Sequence, residues 1–231
     1  MLLLLINRGC NLLTIIPARG ASKGILRKNL QLVNGDTLVE RSIKYAKKIP
    51  NNIICLTSDD MQILEIGNRH GILTQRRSAL NSTDIATSES VLEEVLDDLD
   101  STDDLVTLLQ PTSPFIDIKA WLKSIELMKN NLDIGSMFSA IEKNSSTWEE
   151  VNSTWCPVNQ SKLIRLPRQL KNRTVHETGA FYVFRLSIFK IERTRFCGNS
   201  FPVITNIWSQ FEIDNIEDLS FCNLIASIID S

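Results

Sequence analysis

Two hydrophobic periods alternate along this chain. Short unbroken apolar runs at Leu12–Ile16, Ile53–Thr57 and Leu105–Leu109 have the length and composition of strands buried on both faces. Gly135–Ala140 and Ala180–Phe184 read as further strands. Between them, apolar positions recur at helical spacing: Leu38, Val39, Ser42, Ile43 and Ala46, then Val91, Leu92, Val95, Leu96 and Leu99, then Ile118, Trp121, Leu122, Ile125 and Met128. Ser58-Asp59-Asp60 offers a helix start after the second strand. Near the end, Phe211-Glu-Ile-Asp214 predicts an extended run, and Asn215 an N-cap with Glu217 and Asp218 in the first turn.

Strands alternating with helices predict an α/β fold: a Rossmann-like, mostly parallel sheet with helices on both faces. Residues 141–178 break the pattern. They are polar, carry Trp148, Trp155, Pro157 and Pro167, and read as an excursion from the sheet. The whole chain, 1–231, reads as one domain.

Composition narrows the classes. At 231 residues and 43% hydrophobic, the chain can bury a sizeable core. A formal net charge of -2 predicts no general attraction to nucleic acid or to an anionic membrane. Any anion site must be local. The five cysteines (Cys10, Cys55, Cys156, Cys197, Cys222) are scattered and form no C-x-x-C, which suits reduced thiols in the cytoplasm. The apolar run after Met1 is far short of the ~20 residues that span a bilayer, and it lacks signal-peptide features. The acidic stretch Asp97–Asp104 reads as a solvated turn rather than a metal site.

The chemistry concentrates where the first strand ends. The loop that follows holds Gly20, Ser22 and Gly24 with the cations Arg19, Lys23, Arg27 and Lys28. Small residues let an anion approach unpaired backbone N–H groups, and cations neutralise it. At the carboxyl end of a strand in an open α/β sheet, this predicts a polyphosphate site. An ordinary basic surface loop is the alternative. The segment is neither a Walker A motif nor G-x-G-x-x-G.

Pro17-Ala-Arg-Gly-Ala-Ser-Lys-Gly-Ile-Leu-Arg-Lys-Asn-Leu30 resembles the opening loop of the CMP-sialic acid synthetase (acylneuraminate cytidylyltransferase) family, with Ala21 for its second glycine and Leu26 for a proline. Further likenesses follow in the family's order. They are Arg77 with Asp84 and Ser88, Leu109-Gln-Pro-Thr-Ser-Pro114, Arg168-Gln169 after Arg165, Thr178-Gly-Ala-Phe-Tyr182, and Glu212-Ile-Asp214. The chain departs at Asn172, Val175 and Thr178, where the family commonly has proline, tyrosine and asparagine, and at Glu212, usually aspartate.

The resemblance implies a cytidylyltransferase that joins CMP from CTP to the anomeric hydroxyl of an acidic 3-deoxy nonulosonic sugar and releases pyrophosphate. Arg19, Ser22, Lys23 and Lys28 would hold the CTP phosphates, with Asn29 at the ribose. Arg77 and Ser88 would read cytosine. Gln110, Arg165, Arg168 and Tyr182 would face the sugar acid. Asp214, with Glu212, would carry Mg²⁺; two carboxylates on one side of an extended segment suit a hard cation. Arg19, Lys28 and Asp214 would be the catalytic residues. Residues 141–178 would form a dimerisation arm, making a cytoplasmic homodimer. Taken without the resemblance, the same residues also fit a helix cap, a proline-rich turn and an exposed acidic strand end. A cytidylyltransferase for an eight-carbon acid such as Kdo, and a non-catalytic nucleotide-binding homologue, are the alternative readings.

Overall fold

The computed structural model describes residues 12–99, 104–143, 146–158, 161–164, 166–170 and 172–230. Cys10, the centre of the acidic stretch (residues 100–103) and Arg165 lie outside them, as does the side chain of Arg168. In chain order come β1 (Leu12–Pro17), β2 (Leu32–Val33), β3 (Asp36–Thr37), α1 (Leu38–Ala46), β4 (Asn52–Ser58), α2 (Met61–Arg69) and β5 (Leu73–Arg76). Then follow α3 (Ser88–Leu99), β6 (Leu105–Leu109), α4 (Ile118–Asn130), β7 (Ile134–Glu142), β8 (Trp148–Val151), β9 (Thr154–Pro157), β10 (Val175–Arg185), α5 (Leu186–Glu192), β11 (Asn199–Ile204) and α6 (Ile216–Ile229).

Seven strands form one sheet in the order β11-β7-β10-β6-β1-β4-β5. β10 is antiparallel to both its neighbours, and every other pair in this sheet is parallel. Strand β1 shows why the sheet is covered on both sides. Its alternate residues Leu12 and Ile16 join a core with α1, α2 and α4, whereas Leu13 and Ile15 join one with α3 and α5. From β1 the chain first builds outward to β4 and β5, then returns to β6 on the other side of β1. The order therefore reverses between β1 and β6, and a crevice opens beyond their carboxyl ends, where ligands of open α/β sheets collect.

A third, smaller core holds the front of the molecule. Ile25 of the loop after β1, Phe115, and Ile213 pack with Leu219, Cys222 and Ile225 of α6. Fully burying a side chain such as Ile213 contributes roughly 1.5–3 kcal/mol. That exceeds an exposed ion pair, so apolar packing holds residues 211–214 in place.

Several expectations change in contact with the structure. Leu122 is on the rim of α4 and not in its buried stripe, which is Ala120, Trp121, Ser124, Ile125 and Met128. β5 and β11 escape the apolar-run criterion. β5 reads Leu-Thr-Gln-Arg and β11 Asn-Ser-Phe-Pro-Val-Ile, and each lies at a sheet edge with solvent on one side. The excursion is shorter than 141–178, because β7 continues through Glu142 and β10 begins at Val175. Between them, β8 and β9 form a separate antiparallel hairpin. Phe211–Asp214 is extended but joins no sheet; its tie is the Ile213 N–H donating to the Thr112 carbonyl at 2.8 Å.

Candidate active site

The loop after β1 is built to come close to its neighbours. A Cβ at Gly20 would sit 2.7 Å from Cβ of Asp60, and one at Gly24 would sit 2.0 Å from the Asp214 carbonyl oxygen. Gly20 N–H donates to Asp59 Oδ1 at 2.8 Å. Arg27 stands in the left-handed region at φ 54° and reaches back to Asp60 (3.0 Å) and Gln62 (2.7 Å). Arg27 is thus a clamp on the start of α2. Asp60 meanwhile caps α2 through the Gln62 N–H at 2.7 Å. Asp59 and Asp60 were legible only as a helix start, yet they position the basic loop. Their place directly after a buried strand was the available signal.

A cleft of about 310 Å³ opens beside this loop at the β1/β6 crevice. Its walls bring together Arg19, Ser22, Lys28 and Asn29 from the first loop, Arg77 and Asp84 from the segment between β5 and α3, Ser88 at the start of α3, and Gln110, Thr112 and Glu212. Eight residues singled out from the sequence therefore converge on one cavity: Arg19, Ser22, Lys28, Asn29, Arg77, Ser88, Gln110 and Glu212.

Two buried polar atoms lack partners here. Asn29 donates its amide to the Arg19 carbonyl at 2.9 Å, but its Oδ1 accepts nothing. Arg77 donates Nη2 to the Thr57 carbonyl at 3.2 Å, and its Nε is unpaired. Burial pulls the Arg77 pKa down to about 10, offset in part by Asp59 and Glu94. Buried polar groups are normally satisfied, so an acceptor and a donor left vacant in a cleft wall mark places for a ligand. An Arg–hydroxyl pair such as Arg77 and Ser88 offers donors to a base carbonyl and an acceptor to an amine.

At the other end, Glu212 Oε1 accepts from the Thr112 hydroxyl at 2.9 Å. Its second oxygen lies 3.6 Å from where a Cβ on Gly179 would be, and Gln110 Oε1 lies 3.3 Å from that point. Gly179 has φ 72°, in a bulge that shifts the β10–β7 register between Glu177 and Tyr182. A side chain there would fill the space between Gln110 and Glu212.

Asp214 follows the buried Ile213 and does not line the cleft as Glu212 does; its Oδ1 accepts from Lys28 Nζ at 3.0 Å. The Asp218 carboxylate accepts from the Asp214 and Asn215 N–H groups at 3.0 and 3.1 Å, and Asn215 caps α6 as expected. The carboxylates are hard oxygen donors with solvent-facing room. Among the described residues no group of three or more His, Cys, Asp or Glu encloses a metal. A pair that leaves the remaining positions to water and phosphate is the pattern that suits Mg²⁺.

Two expected contacts, those of Lys23 and Tyr182, are placed differently. Lys23 does not line the cleft; it reaches Asp84 from the loop's outer side at 3.1 Å. Tyr182 lies behind the wall, 2% exposed. Beyond the bulge, strand alternation turns its ring into the α3/α5 core beside Leu108, where its hydroxyl bonds Glu177 and the Arg195 guanidinium stacks 4.5 Å over it. The backbone of Arg168 begins a 3-10 turn, Arg168–Leu170, but its side chain lies outside the described residues, so its expected contact is neither supported nor contradicted.

An open α/β sheet with a cationic loop and a nucleotide-sized cleft at its switch point defines a nucleotidyltransferase site. The cytidylyltransferase family profile matches residues 13–226. The chain belongs to that family. It is 28% identical over 226 residues to pseudaminic acid cytidylyltransferase of Campylobacter jejuni, which covers 94% of this chain and 96% of the relative. It is also 28% identical over 176 residues to N-acylneuraminate cytidylyltransferase A of Danio rerio, over 73% of this chain and 40% of that longer protein. The fold is shared with CMP:2-keto-3-deoxy-manno-octonic acid synthetase complexed with CTP, at a TM-score of 0.71 and 16% identity over 94% of this chain and 98% of that one. These relatives agree with the resemblance drawn from the loop after β1.

Proposed function

We propose that this protein transfers CMP from CTP to the anomeric hydroxyl of an acidic nonulosonic sugar of the sialic or pseudaminic acid kind, releasing pyrophosphate. One observation carries the reading: the cationic loop, the Arg77–Ser88 pair and the Gln110–Glu212 end line a single cleft at the sheet's switch point. Relatives named for those two sugar acids support the sugar class.

In this reading Arg19, Ser22 and Lys28 bind the triphosphate, and Lys23 approaches it from outside. Asn29 accepts from a ribose hydroxyl through its vacant Oδ1. Arg77 donates to the cytosine carbonyl, and Ser88 accepts from its amine. Gln110, with Arg165 and Arg168, orients the sugar acid; Arg guanidinium groups match its carboxylate bidentately. Tyr182 acts from behind, as support for the β10 bulge. The sugar oxygen forms a bond to the α-phosphorus in line as the bond to pyrophosphate breaks, and the sugar hydroxyl proton passes to solvent water. Arg19 and Lys28 neutralise charge that gathers on the phosphate oxygens, so positioning and electrostatics do most of the work. Glu212 and Asp214 would hold Mg²⁺, which supplies further charge neutralisation when bound.

Pyrophosphate release with CTP and a panel of sialic, pseudaminic and eight-carbon acids tests the assignment. Turnover with a nonulosonic acid is expected. Preference for an eight-carbon acid, or no turnover with any member, would overturn it.

The protein is also proposed to act as a homodimer. The excursion exposes Trp148, Trp155 (59%), Leu163 (94%) and Ile164, and exposed apolar patches mark interaction surfaces. Sedimentation at micromolar concentration is expected to show twice the 26.1 kDa chain mass; a single 26.1 kDa species with full activity would contradict this. Among the described residues no helix is long and apolar enough to cross a membrane. The unpaired thiols of Cys55, Cys156, Cys197 and Cys222 suit a reducing, cytoplasmic setting.

A further inference from the structure

Asp84 lines the cleft and carries both of its oxygens to the basic loop. Oδ1 accepts from Arg19 Nη1 at 2.5 Å, and Oδ2 pairs with Lys23 Nζ at 3.1 Å. One small anion therefore bridges two cations, each gripping a different oxygen, as they would grip adjacent oxygens of a phosphate. Asp84 belongs to the segment that also carries Arg77 and Ser88, so the same contact ties two walls of the cleft together.

We propose that Asp84 is an exchangeable counter-anion of the phosphate site: it holds Arg19 and Lys23 together while the site is empty and yields them to a polyphosphate. The proposal rests on the reading of Arg19 and Lys23 as phosphate ligands. Its physical basis is the weakness of the contact. The Asp84 side chain is 42% exposed and the Lys23 side chain 78%, and exposed ion pairs add little stability. A diphosphate or triphosphate brings more charge and more oxygens than one carboxylate, and so wins the guanidinium. A monophosphate has less to offer and competes poorly.

The exchange also works in reverse. Once the sugar has taken CMP, the remaining pyrophosphate must leave two cations. A tethered carboxylate is present at high effective concentration and takes the cations back, which weakens the hold on pyrophosphate. Asp84 is then a residue that positions Arg19 and Lys23 before binding and assists product release afterwards.

Calorimetric titration with inorganic pyrophosphate, using the full chain, tests this. Asp84→Asn is expected to bind pyrophosphate roughly fivefold or more tightly than the wild type. Asp84→Glu is expected to match the wild type. In steady-state assays, the Asp84→Asn protein should show stronger product inhibition by pyrophosphate and a lower KM for CTP. Unchanged or weaker pyrophosphate binding in a folded Asp84→Asn protein would overturn the exchange and leave Asp84 as an orienting partner of Arg19. A separate arm uses Arg19→Ala. Binding of pyrophosphate as tight as wild type in that variant would overturn the phosphate site, and this proposal with it.

Discussion

Asp214→Asn is expected to lower turnover by roughly 10³-fold or more, equivalent to about 4 kcal/mol of transition-state stabilisation. Two losses combine. A neutral amide is a far poorer ligand for a hard divalent cation than a carboxylate. The substitution also leaves Lys28 without the anion that it contacts at 3.0 Å, so its ammonium is no longer aimed. The loss should be of activity and not of fold. The Asp214 side chain is 68% exposed, and the segment is anchored by buried Ile213 and by the Asp218 carboxylate on the Asp214 N–H. Thermal melting should therefore move little while pyrophosphate release collapses. EDTA should stop the wild type, and added Mg²⁺ should restore it. Full turnover by Asp214→Asn, or indifference to EDTA, would remove the metal assignment.

The second large effect is expected at Gly24. A methyl group there would lie 2.0 Å from the Asp214 carbonyl oxygen, and backbone cannot swing aside as a flexible side chain does. Gly24→Ala must push the loop after β1 away from residues 212–214, or push those residues off their packing against α6. Overpacking of this kind costs roughly 1–3 kcal/mol, which lowers Tm by several degrees in a chain of this size. The effect on rate should be larger than the effect on stability. Lys28 and Asp214 are brought together by this close approach, and a displacement of about 1 Å can cost on the order of 10²-fold. Pyrophosphate release and a melting curve on the same preparation check both parts. Wild-type kinetics in Gly24→Ala would show that the close packing of loop and carboxylate segment has no bearing on catalysis.

The two variants probe different levels of legibility. Asp214 and Lys28 were both visible in the sequence, each in a motif whose chemistry could be argued from residue type. That they touch was not visible, because 186 positions separate them along the chain. Gly24 was readable only as a small residue in a basic loop. Its reason, the approach of a carbonyl from the far end of the chain, exists only after folding. The same holds for Asp84, named from the sequence only as a motif member beside Arg77 and Ser88, which proves to sit on two cations.

Local periodicity and residue chemistry determined a good deal without the fold. Apolar runs and helical spacing marked β1, β4, β6, β7, β10, α1, α3 and α4, which supply much of the two main cores, since burial on both faces leaves no polar alternation in the sequence; α5 was not marked, and α2 only by its start. The cationic, glycine-bearing loop after the first strand marked an anion site, because charge and small size are properties of the residues themselves. Edge strands β5 and β11 stayed hidden, since one-sided solvent exposure lets polar residues into a strand. Tyr182 was assigned by motif to the cleft and went behind it, because a bulge of β10 decides which face its ring takes. Tertiary structure alone decided the pairing of walls. β1 and β6 lie side by side where the strand order reverses, and the ends of distant segments meet there in one cleft. Residue identity sets what a side chain can bind; only the packing of the sheet and α6 sets which side chains share a ligand.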